Sequence, residues 1–221
     1  MTDIEFRSDM RIEYVDHMGD DKRIARAARV SVDNDNLDRP HEGLVGRLWA
    51  DQHTSTFEHC TLTVMVEVPI FVAREWMRHR TQAYNEVSAR YSDMRPVFYV
   101  PGEDRPLVQT GKAMDYRREL GDEVQEALTA DLHRAVAKGA WGVYQELLEQ
   151  DIAREVARNV LPVSTYTRFY ATANLRNWFH FLDLRTDKTA LWEIRDAARQ
   201  VEAIIAVLWP VAHGAFSESP R

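Results

Sequence analysis

Alternation of apolar and polar side chains picks out the strands. Residues 61–69 (TLTVMVEVP) alternate and are β-branched, which makes them the clearest strand in the chain. Residues 10–17 (MRIEYVDH) alternate in the same way, and 164–172 (STYTRFYAT) combine β-branched and aromatic residues. Residues 97–100 (VFYV) predict a short strand ended by Pro101 and Gly102. Alternation also extends over 87–91 (VSARY), which as a strand would put Ser88 and Arg90 on one face.

Helical spacing accounts for most of the rest. Residues 20–32 open on acidic residues and run into a small-residue helix, and 40–53 repeat apolar residues at Leu44, Val45, Leu48 and Trp49. Residues 70–80 (IFVAREWMRHR) read as a helix. A long helical stretch is expected over 112–150, with interruptions near Gly121 and Gly139, then a restart over 151–160 that Pro162 stops. Residues 174–185 (NLRNWFHFLDLR) carry an apolar stripe of Leu175, Trp178, Phe179 and Leu182. Arg176 and His180 stand four apart on another face. A final amphipathic helix covers 189–208. Strands and long helices mix without a steady βαβ alternation, so the expected class is α+β, a mixed sheet flanked by long helices.

Composition narrows the picture. With 221 residues and 45% apolar residues, the chain is expected to be a single domain with its own core. No apolar run approaches the ~18 residues of a membrane span, and the first 20 residues hold no signal-peptide core. The lone Cys60 can form no internal disulfide, so a cytoplasmic location is expected. A net charge of −7 argues against a nucleic-acid partner. Of the 28 basic residues 24 are arginine, whose planar fork suits phosphate and carboxylate better than lysine does. Neither GxGxxG nor GxxxxGK[ST] occurs, so any nucleotide is held without a Rossmann or P-loop turn.

Three polar clusters are candidates for chemistry. Segment 74–95 holds Arg74, Arg78, Arg80, Arg90 and Arg95 with His79, Asn85, Glu86 and Ser88, a donor-rich set suited to an anionic planar ligand. The bland alternative is a solvated charged helix end. Arg158, Asn174, Arg176, His180 and Arg185 form a second cluster, in which Arg158 and Arg185 could simply counter Glu155 and Asp183. The third, HTSTFEH (53–59), matches no metal-binding helix pattern, and no metal is expected. Cys60 has nothing adjacent that would lower its pKa and reads as an inert thiol.

The sequence RHRTQAYNEVS (78–88), Arg-His-Arg followed after seven residues by Ser, resembles the signature of flavin-dependent thymidylate synthases. HTSTFEH, PIFVAREWMRHR, SARYS, REVARNVLP, YTRFY and FLDLR resemble the family's other blocks, in the family's order, between residues 20 and 210. The resemblance implies an α+β homotetramer with four active sites at subunit interfaces. It implies FAD as cofactor, with NADPH and 5,10-methylenetetrahydrofolate as co-substrates, and reductive methylation of dUMP to dTMP without an enzyme cysteine.

Carried over by position, the resemblance assigns FAD to Ser55, Arg78, His79, Arg80, Glu86, Asn174, Leu175 (through its backbone), Arg176 and His180. It assigns dUMP to Glu75, Trp76, Met77 and Arg78, to Glu86, Val87, Ser88, Ala89 and Arg90, and to Arg158 and Arg185. Arg185 is the catalytic candidate, because a guanidinium beside uracil favours its N3-deprotonated or enolate form. Family members also carry Gln at position 75 and Gly at 89, where this chain has Glu75 and Ala89; at 180 some have Asn and others His. The rival readings are a non-catalytic flavin- or nucleotide-binding module and a helical assembly protein whose arginines only form ion pairs.

Overall fold

A computed structural model of the chain describes residues 3–32, 39–112 and 115–219. They divide into two compact units. One draws on the chain up to Asp9, on Val68–Arg74 and on Val87–Thr167; the other on Met10–Glu67, Glu75–Glu86 and the chain from Arg168 onward.

In the second unit the sheet order is β2–β3–β8–β4, with β2 at Arg11–Met18, β3 at Thr61–Pro69, β4 at Ala83–Glu86 and β8 at Tyr166–Asn174. β2 pairs antiparallel with β3, and β4 pairs antiparallel with β8. β3 matches its expected range residue for residue: Leu62, Val64 and Val66 are buried while Thr61, Thr63 and Met65 are half-buried. Glu67 is tolerated inside because Arg168 on β8 lies 3.3 Å from its carboxylate. Gly19 turns the chain from β2 into α1 (Asp21–Arg29) at φ +85°, where a Cβ would lie 2.8 Å from the Cys60 sulfur, so only glycine fits.

α2 (Glu42–Ala50), α6 (Leu175–Arg185), α7 (Trp192–Leu208) and α8 (Pro210–Ser217) complete this unit. Its core is aromatic: the Phe179 and Phe216 rings stack at 4.6 Å, and Trp49 meets Phe57, Phe179 and Phe216 edge-on. Trp178 is fully buried, and its indole N–H donates to the Leu62 carbonyl at 3.1 Å. Asp21 is buried yet accepts the backbone N–H groups of Val211 and Ala212, thereby capping α8.

In the first unit, β1 (Glu5–Arg7) pairs parallel with β5 (Val97–Tyr99), and β6 (Val108–Lys112) forms a hairpin with β7 (Asp115–Glu119). α4 (Glu123–Glu149) packs Ala137, Trp141 and Tyr144 against Phe98 and Ala157, the latter on α5 (Arg154–Ala157). A capping box between Asp122 and Gln125 starts α4.

The α+β expectation holds, and several boundaries are corrected. Residues 108–112 and 115–119 pair as antiparallel strands, with Gly111 at φ +93°, a conformation no helix accommodates; residues 113 and 114 of the expected helix lie outside the described residues. Gly121 precedes the cap of α4, and the helix runs unbroken through Gly139. The helix expected over 70–80 stops at Trp76 (α3, Ile70–Trp76). The strand expected over 87–91 is a turn, in which the Ser88 carbonyl accepts from Tyr91 and Ser92 and the Ser88 hydroxyl from the Arg90 N–H, local bonds that compete with a ladder. Among the described residues no helix is long and apolar enough to cross a membrane.

Candidate active site

α3 ends at Trp76, and the next six residues form irregular turns closed by backbone bonds from Arg78 to Glu75, His79 to Trp76 and Gln82 to His79. This places Arg78 and Arg80 in solvent and turns His79 inward, to 7% exposure. The loop is fastened from inside: the Tyr84 hydroxyl donates to the His79 carbonyl at 2.8 Å, and the Trp76 indole N–H donates to the Gln82 side chain at 3.0 Å. Burial holds the Tyr84 hydroxyl pKa well above its ordinary value, so it acts as a neutral donor.

Arg185, at the end of α6, meets this loop at His79 from 106 residues away. Its Nη1 donates to the Glu75 carboxylate, and its Nε donates to His79 Nε2 at 2.8 Å. The carboxylate that Arg185 counters is therefore Glu75 and not Asp183. His79 must be neutral to accept this bond, with its proton on Nδ1. Burial, reinforced by the Arg185 guanidinium and by His180, pushes its pKa down to about 4. His180 lies beside it, with ring centroids 6.1 Å apart.

That depression has a sign that can be measured. Unfolded His79 takes up its proton near the ordinary 6.5 and folded His79 only near 4, so the unfolded chain binds more protons in between. Stability is therefore lost as pH falls from 6.5 toward 4, by about 3 kcal/mol from this residue. Urea unfolding at pH 7 and pH 4.5 should show that loss in the native chain and a smaller one in His79→Gln. Equal losses in both would place the acid sensitivity elsewhere.

The remaining candidates in this unit divide by what already binds them. Arg78 and Arg80 have no side-chain partner among the described residues. Arg176 is paired with Glu58 at 2.5 Å. The Asn174 side-chain oxygen caps α6 by accepting the Asn177 N–H at 2.9 Å, which leaves its amide hydrogens to donate elsewhere. The Leu175 N–H is committed to the Cys60 carbonyl at 2.8 Å, and its side chain is fully buried. Ser55, with Arg29, Arg39, His53 and Thr56, lines a groove of about 770 Å³, within the size range of a small-molecule site. Cys60 is buried, which pushes its thiol up to about 12 and removes it as a nucleophile.

The first unit holds the other candidates. Ser88 and Arg90 stay together on the turn, although not on a strand; Arg90 pairs with Glu155 at 3.0 Å. Arg158 is half-buried and has no side-chain partner among the described residues. Ala89 is nearly fully buried, as is Trp76 of the second unit, which leaves both only backbone groups to offer a ligand.

One polar residue escapes the sequence reading. Gln82 is buried; its oxygen is taken by Trp76, and its amide nitrogen has no partner among the described residues. No periodicity marks it, since it sits in a turn between Thr81 and Ala83, and its only signal is a polar residue inside the Arg-His-Arg motif. An orphaned buried amide and two unpaired guanidinia form a donor set that fits an anionic, acceptor-rich cofactor such as FAD.

Over residues 13–211 the chain matches the thymidylate synthase complementing protein (Thy1) family. It is 42% identical over a 231-residue alignment to the flavin-dependent thymidylate synthase of Streptomyces avermitilis, covering 98% of this chain and 94% of that one. It is also 42% identical, over 208 residues, to the flavin-dependent thymidylate synthase of Thermus thermophilus, with 94% and 75% covered. The crystal structure of the UMP/dUMP methylase PolB from Streptomyces cacaoi bound with 5-Br UMP superposes with a TM-score of 0.90 at 42% identity, covering 97% of this chain and 96% of that one. A second structure of that methylase, bound with 5-Br dUMP, gives 0.90 at 41% identity.

Proposed function

The chain belongs to the flavin-dependent thymidylate synthase family, whose members are flavin-dependent methyltransferases, and from that premise we propose that it converts dUMP to dTMP. Carbon comes from 5,10-methylenetetrahydrofolate and electrons from NADPH, in the cytoplasm. FAD, when bound, supplies the hydride chemistry that no side chain of this protein can perform.

The observation that carries this reading is the meeting of Arg185 with Glu75 and His79 of the Arg-His-Arg segment. A guanidinium anchored on two sides presents its remaining N–H groups in a fixed direction. It is then ready to stabilise charge that builds on a uracil carbonyl as C5 is methylated. Arg78 and Arg80, unpaired and solvent-facing, hold the flavin's phosphates, with Ser55, His79, Glu86, Asn174, Leu175, Arg176 and His180 completing that set. Ser88, Arg90 and Arg158 bind the nucleotide phosphate, while Glu75 and Arg185 take the pyrimidine. The stretch Trp76–Arg78 and Glu86, Val87 and Ala89 supply the remaining nucleotide contacts.

The active unit is a homotetramer with sites at the interfaces between copies. On α4, Val124, Leu128, Leu132 and Val136 recur every fourth residue and are each more than half exposed, an apolar stripe of the kind a second copy covers.

A second reading, methylation of UMP, is favoured by the solved relatives that hold 5-Br UMP and 5-Br dUMP. Release of the C5 hydrogen from labelled dUMP and labelled UMP, with FAD, NADPH and methylenetetrahydrofolate each omitted in turn, separates the two. Release from dUMP that requires all three is expected. Release from UMP alone would reassign the substrate. Release from neither, with flavin bound and reducible, would favour the binding module.

A further inference from the structure

Glu75 and Arg185 satisfy each other through one atom apiece. Glu75 Oε1 accepts from Arg185 Nη1, and Arg185 Nε is spent on His79. Glu75 Oε2 and Arg185 Nη2 have no partner among the described residues, and the two side chains are 26% and 19% exposed, so a ligand can reach them. What they present together is an acceptor beside a donor. The imide edge of a uracil ring, N3–H next to a carbonyl, is the complement of that pair.

The charges set a further condition. Alone, Arg185 would pull the N3 proton off a bound ring, as its guanidinium field stabilises the anion. A carboxylate in contact with it cancels most of that field and is itself an acceptor that favours N3–H. The charged and titratable groups that follow Glu75 in the chain are Arg78, His79, Arg80 and Tyr84, and His180 on α6 lies beside His79. His79 is neutral by virtue of its bond to Arg185, and Tyr84 is held as a neutral donor.

Resting on the function proposed above, we propose that Glu75 binds the N3–H of the pyrimidine and keeps the ring neutral in the ground state. Arg185 then meets the ring's negative charge only as it develops during reaction. A guanidinium that bound a ring already anionic would stabilise ground state and transition state alike and gain nothing in rate. A neutral ring is also the better electrophile at C6. Glu75 is thus the residue that decides when the Arg185 charge acts.

The test follows N3 ionisation in the FAD-loaded enzyme by fluorine NMR of bound 5-fluoro-dUMP, whose C5 halogen brings the N3 pKa near neutrality. In the native enzyme the bound N3 pKa should equal or exceed that of the free nucleotide. Glu75→Gln, which keeps the size but not the charge, should lower it by about one unit or more. Glu75→Asp, which keeps the charge, should leave it near the native value. A native value below that of the free nucleotide overturns the inference, as does a Gln variant that titrates like the native enzyme. If Glu75→Gln fails to bind the probe, the native and Asp titrations still decide. Failure of 5-fluoro-dUMP to bind the native enzyme would refute the functional reading itself, and the inference with it.

Discussion

Replacing Arg185 by alanine lowers dTMP formation by roughly 10²–10³-fold while the enzyme still binds dUMP and FAD. The size follows from removing one charged donor aimed at developing charge. The split follows from the ion pair, since Glu75 keeps Arg185 from binding the resting ring strongly, so the loss falls on kcat more than on KM. Structure is expected to survive. Arg185 lies at the last turn of α6 and is 19% exposed, and the buried stripe of that helix, Leu175, Trp178, Phe179 and Leu182, is untouched. The variant does leave Glu75 without its cation and His79 without its donor, so a modest drop in melting temperature accompanies the loss. Steady-state kinetics with a circular-dichroism melt checks both. Turnover within a few fold of native would remove Arg185 from the mechanism.

Replacing Arg78 and Arg80 together by alanine weakens FAD binding on the order of 10²- to 10⁴-fold with little change in stability. A charge-assisted hydrogen bond is worth about 1.5–3 kcal/mol, and two are lost. Folding should barely register the change, because both side chains are exposed and neither has a protein partner among the described residues. Flavin fluorescence titration gives the affinity and thermal unfolding the control. Unchanged affinity in a folded double variant would mean that the cofactor lies elsewhere, and the groove lined by Ser55 and His53 would become the place to look.

How much of this was legible in the sequence depends on the range of the forces involved. β3 was legible residue for residue, because one buried face imposes a period of two that no neighbour can alter. The core stripe of α6 was legible for the same reason at a period of 3.6. The β6–β7 hairpin was not, since its charged residues suit a surface helix and only Gly111 in a left-handed conformation, with cross-strand pairing, decides otherwise. Ser88 and Arg90 were correctly kept together for the wrong reason: a turn joins them, where alternation suggested a strand.

The chain alone determined the class of fold, the family, and the residue types available for chemistry: an arginine-rich motif, no glycine phosphate loop and one unactivated cysteine. These are properties of composition and local order. The partner of each charge belongs to the tertiary structure. Glu75 and Asp183 are both acidic, and the nearer one in sequence is the wrong partner for Arg185. Likewise nothing local shows that His79 is neutral, since its pKa is set by burial and by a guanidinium from another helix. Electrostatics acts through space with a strength set by distance and burial, and only the packed fold brings residues 75, 79 and 185 together.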